Sequence, residues 1–210
     1  MRIVTLPVGP LETNCYLVLR EKSKRLYVID PGGDAPEILA AAAELPHETA
    51  AVLLTHGHFD HIGAAGEVVR KLGAGCVRLA AADHALYRSP ENAFPPWIPP
   101  CRDLPEVSAE PDPAREFRLI ALPGHTPGGS GFLFDGETAA EEAALFAGDT
   151  IFAGSVGRTD FPGGDADALL NSIRTRILTL PETLKIYPGH GGWTTVGRER
   201  DTNPYLRGEL

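Results

Sequence analysis

Seven consecutive residues, Thr55-His56-Gly57-His58-Phe59-Asp60-His61, hold three imidazoles and a carboxylate. The apolar run Ala50 to Leu54 before them predicts a buried strand, and Ile62 to Leu72 after them predicts an amphipathic helix. Four such side chains on one strand-to-helix loop cannot all pack as neutral core residues. Their nitrogens and oxygens would crowd one another, and a lone carboxylate there would stay charged. A divalent cation removes that cost, because imidazole and carboxylate are its preferred donors. The motif is a metal-site signature.

The chain around it has 210 residues, enough for one sizeable core and short for two, so a single domain spanning 1–210 is expected. Its net charge of -9, from 19 basic and 28 acidic residues, argues against a nucleic-acid partner. The start, Met1 to Pro7, turns to Pro and Gly before a secretory core could form, and no apolar run approaches bilayer length. Cys15, Cys76 and Cys101 are odd in number and share no short spacing, which argues against a disulfide framework. A reduced, cytoplasmic protein without a membrane partner is the expectation.

Short strands are predicted at residues 3–8, 15–19, 26–29, 50–54, 76–80, 117–122, 131–134, 144–147 and 184–187, and helices at 36–45, 62–72, 83–88, 165–180 and 196–203. Leu169, Ile173 and Ile177 recur every four residues and give the fourth helix a buried face, with Asp165 as its cap. Strands alternating with helices indicate a layered α/β fold. Residues 89–113 differ, with Pro90, Pro95, Pro96, Pro99, Pro100, Pro105, Pro111 and Pro113 around Phe94 and Trp97. That density forbids helix interiors and central strands and predicts a stiffened loop. The loop is either a surface excursion or a wall over the site, and its Trp97 can line a substrate pocket or a homodimer contact.

One arrangement occurs four times. Val52-Leu53-Leu54 runs into His56 and His58, and Leu119 to Leu122 runs through Pro123-Gly124 into His125. Leu145-Phe146-Ala147 runs through Gly148 into Asp149, and Ile186-Tyr187 through Pro188-Gly189 into His190. In α/β sheets the ligand crevice lies beyond the carboxyl ends of strands, so four such ends on one sheet edge would converge their side chains. The candidates are then His56, His58, Asp60, His61, His125, Asp149 and His190, seven donors where one zinc takes about four. Seven suit two ions sharing a carboxylate, with Asp149 as the natural bridge because a carboxylate has two oxygens. His47 and His84 lie outside the pattern and are expected to be structural.

These motifs, Thr-His-Gly-His-Phe-Asp-His, Pro123 to Gly128, Gly148-Asp149 and Pro188-Gly189-His190, resemble the metallo-β-lactamase-fold hydrolases over nearly the whole chain. The resemblance implies a four-layer αββα sandwich. It assigns His56, His58 and His125 to one metal and Asp60, His61 and His190 to the other, with Asp149 bridging. Gly157-Arg158-Thr159-Asp160-Phe161 and Arg198 to Pro204 are similar to short glyoxalase II-like proteins, the hydroxyacylglutathione hydrolase group. Persulfide dioxygenases share the Gly-Arg-Thr-Asp-Phe stretch. Only about 20 residues follow His190, so the C-terminal helical domain with which full-length glyoxalase II enzymes help to hold glutathione is not expected here.

The expectation is therefore hydrolysis of a small-molecule thioester such as S-lactoylglutathione, with Asp60 and Asp149 catalytic and two divalent ions bound. Zinc is the expected metal, and iron or manganese is compatible. Arg158, with Phe161 beside it, can grip a substrate carboxylate or can pair with Asp160 or Asp165 on the surface. The main rival is a mononuclear iron persulfide dioxygenase using His56, His125 and Asp149. A lactone or phosphodiester substrate, and a closed-site binding protein, are the remaining readings.

Overall fold

Strand residues that are apolar at successive positions need cover on both faces, and most of the central strands here have it. The computed structural model describes residues 1–90, 92–96, 98–110, 114–138 and 141–208. They group into two compact units, Met1–Pro113 and Ala114–Leu210.

In the N-terminal unit β1 (Arg2–Val8) and β2 (Thr13–Arg20) form an antiparallel hairpin, and β3 (Arg25–Ile29) pairs antiparallel with β2. Helix α1 (Ala35–Ala43) returns the chain to β4 (Thr49–Leu53), parallel to β3 with Ile29 opposite Leu53. Two helices follow, α2 (Phe59–Ile62) and α3 (Ala65–Leu72), and β5 (Val77–Arg78) closes a five-stranded sheet of order β1-β2-β3-β4-β5. One face, with Cys15, Leu17, Leu19, Leu26, Val28, Val52 and Leu54, packs with Ile38 and Ala42 of α1 and Val68 of α3. The alternate residues Tyr16, Val18, Tyr27, Ile29, Ala51 and Leu53 are buried as well.

A 3-10 turn at Ala81–Asp83 leads into α4 (His84–Tyr87) and the Pro-rich segment. That segment folds back onto its own unit: Ser108 donates to Val77 O and accepts from Leu79 N, and the Tyr87 hydroxyl donates to Pro105 O. Ser108 thereby forms one bridge with Arg78, a single pairing that the prolines do not extend. Trp97, Pro111 and Pro113 lie outside the described residues, so the two uses envisaged for Trp97 are not addressed by the structure.

The C-terminal unit holds β6 (Arg118–Ala121), β7 (Ser130–Phe134), β8 (Ala144–Gly148) and a small hairpin of β9 (Ile151–Phe152) and β10 (Ser155–Val156). Helix α5 (Ala166–Ser172) follows, its cap Asp165 accepting from Ala168 N, and continues as a π-turn at Ile173–Ile177. β11 (Lys185–Pro188), β12 (Thr194–Thr195), α6 (Val196–Thr202) and α7 (Pro204–Arg207) complete it. The sheet order is β12-β11-β8-β7-β6, with β8 and β11 parallel. Leu169, Ile173 and Ile177 pack with Leu133, Leu145, Ala147 and Ile186, as their four-residue spacing predicts. Buried Glu199 of α6 accepts from Gly154 N, Thr194 Oγ1 and Asn203 Nδ2, and so ties α6 to the β9–β10 hairpin.

Two sequence expectations change. The helix expected at 62–72 begins at Phe59 and breaks at Gly63 and Ala64, which puts Asp60 and His61 on a helical turn rather than on the loop. The helix expected at 196–203 ends at Thr202, and Pro204 then opens the separate α7, since proline suits a first helical position. The four ligand-bearing strand ends do not lie on one sheet edge: β4 belongs to the first sheet, and β6, β8 and β11 run in the same direction in the second.

Gly124 shows how tightly the β6 end is built. Its φ is +143°, and a Cβ there would fall 2.2 Å from the Leu169 Cα. Gly124→Ala is expected to destabilise the protein by roughly 2–4 kcal/mol, from backbone strain plus overpacking. Gly75→Ala, where a Cβ meets open space, should stay within about 0.5 kcal/mol. Urea unfolding of the two variants checks the contrast.

Candidate metal centre

Parallel strands β3 and β4 finish side by side, and one carboxylate ties their ends together. Asp30, buried just past β3, accepts from Thr55 N at 2.7 Å on Oδ1, and on Oδ2 from Thr55 Oγ1 at 2.6 Å and His61 Nδ1 at 2.9 Å. The Thr55 proton is committed to Asp30, so its oxygen accepts from His56 Nδ1, 3.0 Å away. This fixes two tautomers at once. His56 and His61 both carry their proton on Nδ1 and keep the lone pair on Nε2, the form in which imidazole ligates a metal. The ring centroids of His56 lie 4.8 Å from those of His58 and 4.1 Å from those of His61, so the three imidazoles converge.

Asp60, on the first turn of α2, accepts from the Thr13 hydroxyl at 3.0 Å, and its Oδ2 stands 3.4 Å from His61 Nε2. The turn can sit this close to β3 only because residue 32 is glycine. A Cβ on Gly32 would fall 1.6 Å from the Asp60 carbonyl oxygen.

The C-terminal unit builds a second cluster at the ends of β6, β8 and β11. His125 donates from Nδ1 to the Arg158 carbonyl at 2.7 Å, which again leaves the lone pair on Nε2. Asp149 Oδ2 stands 3.7 Å from His125 Nε2 and 3.6 Å from His190 Nε2. One carboxylate oxygen thus faces two imidazoles.

These separations decide the chemistry. Nitrogen and oxygen at 3.4 to 3.7 Å are too far apart for a hydrogen bond, which needs about 2.7–3.2 Å. For His61 and His125, whose Nε2 is an acceptor, the two groups also present lone pair to lone pair. Two donors of one tetrahedral ion with bonds of ~2.1 Å lie about 3.4 Å apart. The donor set fits divalent cations on both carboxylates.

The structure thus gathers His56, His58, Asp60 and His61 in one unit and His125, Asp149 and His190 in the other. His47 and His84 bond the backbone carbonyls of Leu45 and Leu79, as structural histidines do. Arg158 extends from the His125-binding segment, pairs bidentately with Asp160 at 2.7 Å, and lies 4.0 Å over the Phe161 ring. It holds the Asp160 carboxyl at a pKa of about 2. The pair borders a cleft of about 400 Å³ lined also by Thr159, Leu169, Leu170 and Tyr205.

Asp30, Thr55 and Thr13 were not singled out by the sequence. Asp30 has a signal there, because it too follows an apolar strand directly before a Pro-Gly turn. Replacing it with Ala should weaken metal binding about 10–100-fold, as loss of a ligand-orienting partner does, while His56 and His61 are still present. Competition with a chelator measures this, and unchanged affinity would remove Asp30 from the centre.

The sequence model of the metallo-beta-lactamase superfamily matches residues 8–190. Hydroxyacylglutathione hydrolase GloC of Haemophilus influenzae is 37% identical over 214 residues, covering 98% of each chain. The crystal structure of BLEG-1 B3 metallo-beta-lactamase has a TM-score of 0.84 at 34% identity, over 98% of this chain and 99% of that one. TTHA1623 in a di-iron-bound form has a TM-score of 0.82 at 39% identity, over 98% and 100%. ETHE1 from Myxococcus xanthus has a TM-score of 0.75 at 27% identity, over 99% and 85%. The α/β architecture of both units, the donor clusters at their strand ends and these likenesses agree: the chain belongs to the metallo-β-lactamase superfamily, and its fold is the metallo-β-lactamase fold.

Proposed function

We propose that this superfamily member hydrolyses thioesters of the S-lactoylglutathione type, using two divalent metal ions. His56, His58 and His125 would hold one ion and Asp60, His61 and His190 the other, with Asp149 shared. The observation that carries the two-ion reading is Asp149 Oδ2, set 3.7 and 3.6 Å from two different imidazoles. The di-iron form of TTHA1623 supports it, and the name of the GloC relative supports the substrate class. Zinc or iron suits a set of imidazole and carboxylate donors, with manganese less favoured by so much nitrogen.

Bound ions of this kind supply hydroxide near neutral pH and polarise a carbonyl. The chain's own groups do the positioning. Asp60, fixed by the Thr13 hydroxyl, orients the attacking water. Asp30 and Thr55 keep His56 and His61 in their ligating tautomers, and the Arg158 carbonyl does so for His125. A carbon–oxygen bond forms at the thioester carbonyl, the carbon–sulfur bond breaks, and the thiolate leaves with the electron pair. A thiolate needs no protein acid to depart, which fits a centre whose histidines all serve as ligands.

Arg158 is the group we assign to a substrate carboxylate, with Phe161 as the ring beneath it. Its pair with Asp160 is solvent-exposed, so water and salt screen it and it holds weakly. Protonation does not release Asp160, because a carboxyl depressed to about 2 stays charged at any pH above that value. An incoming anion must displace it. Asp160→Asn should therefore lower KM for an anionic thioester about two- to fivefold. A thioester without a carboxylate should show no change, and equal effects on both would remove Arg158 from substrate binding.

A mononuclear iron persulfide dioxygenase built on His56, His125 and Asp149 is the second reading, drawn from the Gly157-Arg158-Thr159-Asp160-Phe161 stretch and given some support by the likeness to ETHE1. Elemental analysis of the purified protein, run beside S-lactoylglutathione turnover, separates the two. About two ions per chain with thioester hydrolysis is the expected result, and Asp149→Ala should lose both together. One iron per chain, no hydrolysis, and oxygen uptake on glutathione persulfide would establish the dioxygenase. A β-lactam belongs in the same assay, given the likeness to BLEG-1.

A further inference from the structure

His58 is the one imidazole of the N-terminal cluster that Asp30 and Thr55 do not explain. Its backbone is extended, with φ -69° and ψ 147°. In an extended residue the carbonyl before it and the N–H after it lie on one side of the chain, as they do along a strand. Here those groups are Gly57 O and Phe59 N, and both meet the side chain of Asn92. Asn92 Nδ2 donates to Gly57 O, and its Oδ1 accepts from Phe59 N at 2.9 Å. A carbonyl can only accept and an N–H only donate, so the carboxamide has one orientation that satisfies both. Gly57 N donates in turn to Asp83 Oδ2 at 3.0 Å. Asn92 is 5% exposed and Asp83 fully buried, so water does not compete for these bonds.

We infer that Asn92 is the positioning residue of the metal centre at His58. It acts as a one-residue strand partner, reading the backbone on both sides of the ligand and fixing the direction in which the imidazole leaves the chain. This gives the Pro-rich segment a role: it carries Asn92 to the ligand loop. Further contacts of the segment with the helices beyond that loop hold it there. The Cys101 thiol donates to Phe59 O at 3.6 Å, and Asp103 takes a bidentate pair from Arg70 of α3 at 2.7 Å. The inference uses the metal-centre reading only in that the chain binds metal, and it is independent of the substrate.

The test is metal affinity, read by zinc competition with a chromophoric chelator, together with the visible spectrum of the cobalt(II)-substituted protein. Asn92→Ala should weaken zinc binding about 10–100-fold and alter the cobalt spectrum. Asn92→Ser, which can reach only one of the two backbone groups, should fall between Ala and wild type and serves if the Ala variant does not fold. Asn203→Ala is the control for a merely structural effect. It deletes a buried carboxamide with bonds to Ser155 O at 3.0 Å and Glu199 Oε2 at 2.8 Å. It should lower the thermal midpoint while leaving zinc affinity and the spectrum unchanged. If the Asn92 variants lose thermal stability with zinc affinities and spectrum equal to wild type, Asn92 is structural and the inference fails. A wild-type protein that takes up no zinc or cobalt would overturn the metal-centre reading itself, and this role with it.

Discussion

Three hydrogen bonds on the Asp30 carboxylate hold the donor cluster of the N-terminal unit in register. The bond from Thr55 N locks the end of β4 to the end of β3, where Asp30 N already bonds Leu53 O at 3.0 Å. The bonds from Thr55 Oγ1 and His61 Nδ1 convert that backbone alignment into side-chain chemistry, because each sets where an imidazole keeps its proton. The carboxylate works from behind the ligands. It accepts from His61 directly and sets His56 through the Thr55 hydroxyl, so both lone pairs point the other way. The parallel pairing of β3 with β4 is what brings Asp30 and Thr55 together, so the fold and the tautomers are set by the same contact.

The C-terminal unit solves the same problem with backbone. His125 has no carboxylate behind its Nδ1, only the carbonyl of Arg158, supplied by the segment after β10. That segment must pass close under β8, and residue 157 is glycine where a Cβ would fall 1.8 Å from Asp149 O. The Arg158 side chain leaves from the same residue toward Asp160 and Phe161. One residue therefore fixes the candidate ligand His125 with its carbonyl and presents a guanidinium with its side chain. Substitution of Arg158 tests the second role without removing the first, since any residue brings the carbonyl.

What the sequence made legible, and what it did not, follows from how each contact is encoded. The seven donor residues and the apolar strands before them show in the sequence, because a ligand needs a particular side chain and a buried strand needs an apolar run. The Leu169, Ile173 and Ile177 face was equally open, since burial of one helix face imposes a period. The break between α2 and α3 was not, because Ile62 to Leu72 carries a continuous amphipathic pattern and the interruption comes from α2 being set by its approach to Gly32. The distribution of strand ends over two sheets was hidden as well. Strand-turn-ligand patterns specify that a strand ends at a ligand but not which strand it pairs with.

Asn92 is the extreme case of what sequence conceals. It lies 33 residues from Phe59 and 35 from Gly57, and it binds main-chain atoms that every residue has. Nothing in the ligand motif asks for it. The prolines around it provide its physical setting. Each limits the unfolded segment's freedom, so less entropy is lost when the segment folds back along β5 and α3. A flexible loop could make the same two hydrogen bonds, but it would lose on the order of 1–2 kcal/mol for each backbone residue ordered to reach them. Two hydrogen bonds, contributing about 1 kcal/mol each, do not offset that over a long excursion. A pre-stiffened segment with anchors at Cys101, Asp103, Pro105 and Ser108 already has most of the ordering met before Asn92 engages. The proline density that rules out regular structure in 89–113 is thus the feature that lets an irregular segment grip the backbone on both sides of His58.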